Sequence, residues 1–166
     1  VNDAVPARGC AFGDYDNDGD MDIVVNCVNA PPQLLRCDTS IARNWIKVRL
    51  VGKKSNRTGI GARITVTAQT AAQDMSGIGK QPLPQIEEVR SGGSYYSQND
   101  LRIHFGLDHA AKADAVEIAW PSGAKDTLHD LAANHLYVIE EGGKILKTIA
   151  MGSAPATDKT KTGAGL

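Results

Sequence analysis

Every second residue from position 14 to position 22 is an aspartate: Asp14-Tyr15-Asp16-Asn17-Asp18-Gly19-Asp20-Met21-Asp22. Two carboxylates about 5 Å apart repel by roughly 3 kcal/mol at an effective dielectric of 20. A segment this acidic folds on itself only around a cation or with strong protonation shifts. The spacing D-x-D-x-D-G-x-x-D lets the side chains of Asp14, Asp16, Asp18 and Asp22, and the backbone carbonyl of Asp20, converge on one point. Gly19 permits the sharp reversal this requires. The donor set is all oxygen. Calcium suits it, because calcium accepts six to eight hard oxygen ligands in flexible geometry, whereas magnesium keeps a tight octahedron and zinc prefers Cys or His. An EF-hand is excluded: the position of its bidentate Glu is Val25, inside an apparent strand.

The same loop holds the charge anomaly. The chain carries 18 basic and 19 acidic residues, a net of −1, so no global field attracts nucleic acid or an anionic membrane. Outside the loop, 14 acids face all 18 bases. With 166 residues the chain has room for one ordinary domain, or one domain and a fragment of another. Seventeen Gly, seven Pro and only 5% aromatic residues favour short elements joined by tight turns, hence an all-β fold. No apolar stretch approaches the roughly 20 residues needed to span a bilayer. Val1-Asn2-Asp3 lacks the basic start and apolar run of a signal peptide, so a leader is expected to have been removed or the chain to be cut from something longer.

Gly9 to Phe12 leads into the aspartate loop and Ile23 to Val28 leads out, which reads as strand, loop, strand. Asn29-Ala30-Pro31-Pro32 then turns the chain into Gln33-Leu34-Leu35-Arg36. From residue 44 the pattern alternates with period two: Ile46, Val48 and Leu50 face one way, Lys47 and Arg49 the other. Ile64 and Val66, Leu101 to Phe105, Val116 to Trp120, and Leu136 and Val138 repeat it, each predicting a strand with one wet face. Gly-rich turns separate them. The expected organisation is a hairpin over 1–38, a β-sandwich-like domain over 44–149 and a flexible tail over 152–166. Thr70 to Pro84 reads as a long loop, and Asp108 to Asp114 and Asp130 to Asn134 as single helical turns.

Phe12-Gly13-Asp14, the aspartate loop and Ile23-Val24-Val25 together resemble an FG-GAP or VCBS repeat of integrin-alpha-type propellers, in which such a loop joins two strands of a blade. Trp45 to Leu50, Lys54 to Arg63, Val89 to Tyr95, His104-Phe105-Gly106-Leu107 and Trp120-Pro121-Ser122-Gly123 are similar to the ASPIC/UnbV domain. That domain follows FG-GAP repeats in cartilage acidic protein and in bacterial secreted proteins. The resemblance implies a calcium-associated, β-rich adhesion module located outside the cell, at its surface or in the periplasm, without catalytic residues. The hairpin holds only part of a blade.

The remaining candidates divide by chemistry. If strands 9–13 and 22–28 pair, Cys10 and Cys27 stand near opposite each other and are the favoured disulfide. Cys27 with Cys37, or three separate thiols, stay open. His104, His109, His129 and His135 have no metal-like spacing. Ser91, Ser94 and Ser97 lack a nucleophile elbow. Lys47, Arg49, Lys53, Lys54, Arg57 and Arg63 read as a solvated basic face. Asn56-Arg57-Thr58 is a formal glycosylation sequon.

No nucleophile, acid–base pair or cofactor cradle emerges, which predicts a non-enzymatic interaction module. The alternative is a carbohydrate-binding or carbohydrate-processing module that stacks sugars on Trp45, Tyr95, Tyr96, Trp120 and Tyr137 if several share a face, although Trp120 continues an apolar strand face and reads as core. A two-stranded ribbon is marginal alone, so the hairpin is expected to dock on the sandwich, or to self-associate or take a protein partner by strand addition.

Overall fold

A computed structural model describes residues 6–38, 43–69, 84–93 and 95–151. The period-two segments become strands. Ile46, Val48 and Leu50 of β4 (Asn44–Val51), Ile64 and Val66 of β5 (Arg63–Thr67), and Val116 and Ile118 of β8 (Lys112–Ala119) are each at most 2% exposed. They face inward from two four-stranded sheets. One has the order β11-β10-β4-β7, with β7 spanning Ile103–Asp108, β10 His135–Glu140 and β11 Lys144–Ala150. The other has the order β6-β5-β8-β9, with β6 spanning Gln85–Glu88 and β9 Lys125–Ala132. One apolar core, including Phe105, Leu107 and Trp120, fills the space between them. The fold is all-β with several sheets. Every pairing is antiparallel except β4 with β10, which run parallel.

The structure corrects the sequence reading in three places. In β10 the core takes Tyr137 and Ile139, while Leu136 is buried on the opposite face beside Lys47. A nearly continuous apolar run has no wet face to betray its orientation. The two expected helical turns are tight connections instead. Asp108, Asp130 and Asn134 take left-handed φ of 52°, 56° and 60°, which reverses or twists the chain within a few residues. Tyr137 is a core side chain, as is Trp120, which the sequence already placed there, and both have satisfied polar ends. The indole N–H donates to Asp126 at 2.7 Å and the phenol donates to the Ala132 carbonyl at 3.1 Å. The expected tail from residue 152 and loop 70–83 lie outside the described residues.

Glu141, 6% exposed, ties three connections together just past β10. One carboxylate oxygen accepts the backbone N–H groups of Lys53, Lys54 and Ser55 at 2.7, 2.7 and 2.8 Å. The other accepts the hydroxyls of Ser55 and Ser122.

Ahead of the sandwich lies a three-stranded antiparallel sheet of β1 (Ala7–Gly13), β2 (Asp22–Cys27) and β3 (Gln33–Leu35), in that order. Its β1 side is covered. The Phe12 N–H donates to Asn99 Oδ1 at 3.1 Å, and the Asp100 N–H donates to the Phe12 carbonyl at 3.1 Å. A β-carbon at Gly9 would fall 2.1 Å from the Tyr95 carbonyl oxygen, so only glycine lets the strand pass this close. The far side of β3 pairs with no described strand. Val24 and Leu34, cross-strand partners on one face, stay 44% and 48% exposed.

Candidate metal centre

The aspartate loop closes β1 onto β2, with Gly13 opposite Asp22. Two residues bend it: Asn17 at φ 62° and Gly19 at φ 102°. Gly19 is also a contact point, because a β-carbon there would fall 1.9 Å from Nε1 of Trp45. Carboxylates then take the place of a regular ladder. Asp14 accepts the N–H of Asp18 on Oδ1 at 3.1 Å and of Gly19 on Oδ2 at 2.8 Å. Asp18 accepts the N–H of Asp20 at 2.9 Å. Asp22 accepts Tyr15 and Cys37 at 3.1 and 2.9 Å, which ties the base of the loop to the chain beyond β3.

This wiring draws Asp14, Asp16 and Asp18 together, with one carboxylate oxygen from each lying within 4.8 Å of the others. Oxygens bound to one calcium at 2.3–2.6 Å are at most about 5 Å apart, so the spacing fits a single ion of that size. Asp16 stands at the solvent side, 3.8 Å from the Arg36 guanidinium. Desolvation, then the charges of Asp18 and Asp22, push its carboxyl above its ordinary value. Asp22 is 2% exposed and engaged with backbone; Asp20 is half-buried.

The loop rests on the outer face of β4 and β7, and this seat was not anticipated from the sequence. Lys47, expected on a solvated face, is 1% exposed and its ammonium pairs with Asp14. Burial pulls the lysine below its ordinary pKa, against the hydrogen bond from Asp14 that raises it. Its Nζ also lies 5.0 Å from the centre of the Trp45 ring, a cation–π distance. His104, opposite Lys47 across the strands, stacks on Trp45 with centroids 5.7 Å apart. Burial, then the Lys47 charge, lower its pKa, and its buried Nε2 has no hydrogen-bond partner among the described residues. Arg102 reaches across to donate to Asn17 Oδ1 at 2.7 Å and to the Asp14 carbonyl at 3.2 Å, while also binding Asp100. A cleft of about 370 Å³ opens beside this seat, lined by Phe12, Met21, Glu88, Arg90 and His104 among others.

The other candidates stay apart. Cys10, Cys27 and Cys37 are free thiols. Cys10 stands opposite Val25 and Cys27 opposite Ala7 across an irregular register, so the favoured pair is a diagonal one. Desolvation, then Asp20 and Asp22, push the Cys37 thiol up and keep it protonated. The five aromatics form no common platform: Trp45, Trp120 and Tyr137 are buried, and only Tyr95 and Tyr96, in an edge-to-face pair, are exposed. Apart from Lys47, the basic group is exposed, with Lys53 paired to Glu140 at 2.7 Å. The amide of Asn56 in the sequon donates to the Ile60 carbonyl at 2.7 Å. No described helix is long and apolar enough to cross a membrane.

Residues 52–146, more than half of the chain, match the family model described as ASPIC and UnbV. The matched stretch runs from the end of β4 into β11 and leaves the aspartate loop outside it. Comparison with curated proteins finds no match.

Proposed function

The chain belongs to the ASPIC and UnbV family, and from that premise we propose that it is a calcium-stabilised interaction module of the extracellular space, cell surface or periplasm. ASPIC and UnbV domains are non-catalytic interaction modules. In this reading the aspartate loop and its three strands are an FG-GAP/VCBS-like unit seated on that domain. The observation that carries the proposal is the convergence of Asp14, Asp16 and Asp18 within 4.8 Å in an all-oxygen loop. Asp22 and the Asp20 carbonyl complete the ligand set, and the bound ion neutralises crowded carboxylates and stiffens the loop.

The partner is a protein or a second copy, added as a strand along β3. The open side of β3 and the exposed Val24 and Leu34 support this. A sugar platform has less support, since three of its five aromatics lie in the interior.

Calorimetric titration of the chelator-treated protein with calcium tests the central claim. At free calcium 100 times the dissociation constant, binding adds about 2.7 kcal/mol. For a domain of this size that raises the melting temperature by about 5 to 10 °C. No heat of binding and an unchanged melt would remove calcium from the account.

A further inference from the structure

We infer that Lys47 sets the strength of the cation site, by holding Asp14 when no ion is bound and by opposing the ion when one is. The inference rests on the calcium reading of the loop. It starts from how fully Asp14 is already engaged. Its Oδ1 accepts the Asp18 N–H, and its Oδ2 accepts both the Gly19 N–H and the Lys47 ammonium. Asp14 is also 1% exposed, so water does not supply its countercharge.

Lys47 is placed there by the sandwich and not by the loop. It projects from the middle of β4, with Trp45 two residues before it on the same face and His104 directly across on β7. The ring of Trp45 flanks its ammonium, which is as buried as the carboxylate it binds. A divalent ion joining Asp14, Asp16 and Asp18 must therefore share Asp14 with a fixed positive charge that water screens poorly. Arg102 bears on the same loop and adds a second positive group on that side. Without the ion, the ammonium is what prevents Asp14 from being buried as a lone charge. One residue of the sandwich thus stabilises the ion-free loop and weakens the ion-bound one. The span between those two states is the affinity.

The test compares the whole chain with Lys47→Met, which keeps an unbranched apolar stem beside Trp45, and with Lys47→Gln, which keeps a donor but no charge. Each is titrated calorimetrically with calcium chloride and melted in chelator and in excess calcium. Both variants are expected to bind calcium at least about tenfold tighter than the parent. They should melt lower than the parent in chelator and recover most of the difference in calcium. Equal affinities in parent and variants, or an equal loss of stability with and without calcium, would reduce Lys47 to a packing residue and overturn the inference. If Lys47→Met folds only in calcium, that outcome supports it; if it folds in neither condition, Lys47→Gln decides on the same criteria. Uptake by a variant but not by the parent also supports it. No uptake by any of the three removes the calcium reading and the inference together, whereas uptake with equal affinities removes the inference alone.

Discussion

A single carboxylate, Glu141, holds three connections of the sandwich and makes the fold sensitive to acid. Burial would raise its pKa, but the Ser122 hydroxyl and the N–H groups of Ser55, Lys53 and Lys54 outweigh that and hold it down to about 2, against an ordinary value of 4.5. A carboxylate whose folded pKa is depressed stabilises the fold fully above its unfolded pKa, and that contribution is lost as pH falls toward the folded one. The urea midpoint is therefore expected to fall between pH 4.5 and about 2. Glu141→Gln should start lower at neutral pH and lose less across that window, as equilibrium denaturation at several pH values will show. The aspartate loop was legible at this scale because its composition and spacing are unusual in themselves. Lys47 was not. A lysine between Ile46 and Val48 has the same pattern as a solvated strand face, and its partner lies 33 positions away. Nothing local records that a loop comes to rest on it.

The strands with one apolar face and one polar face could be read directly, as β4, β5 and β8 show. Two kinds of element escaped. In β10 the run Leu136-Tyr137-Val138-Ile139 is apolar on both sides, because one side meets the core and the other lies beside Lys47. In β9 the core residues are Leu128 and Leu131, a three-residue spacing that no strand template predicts. The left-handed φ of Asp130 turns the backbone so that both reach inward. The β1 edge was expected to be either docked or open. It is met by the segment at Asn99 and Asp100. Asn99→Ala removes the acceptor for the Phe12 N–H, which costs about 0.5–1.5 kcal/mol. The measurable sign is faster amide hydrogen exchange at Phe12, with exchange in the core strands β4 and β8 unchanged.

Taken whole, the described residues cover one side of the small sheet with the protein's own chain and leave the other side, along β3, without a partner strand. Self-association along β3 should therefore respond to a charge placed on the exposed row. In sedimentation at increasing concentration, the parent is expected to shift toward dimer, and Leu34→Glu to remain monomeric with an unchanged melt. A parent that stays monomeric throughout removes the second copy as the partner. This openness was only partly legible. The sequence showed too few strands to bury both faces of a ribbon, but which edge the sandwich would cover depended on contacts made by residues 95–102, far along the chain.

The parallel pairing of β4 with β10 joins residues 46–51 to residues 135–140, and it orders events in time. Contacts this distant in sequence are closed late, because the intervening chain must first give up its freedom. Trp45 and Lys47 belong to that strand, and His104 and Arg102 come later still. During synthesis the aspartate loop leaves the ribosome before the strands β4 and β7 on which it rests. Until those strands form, its carboxylates lack the counter-charges of Lys47 and Arg102.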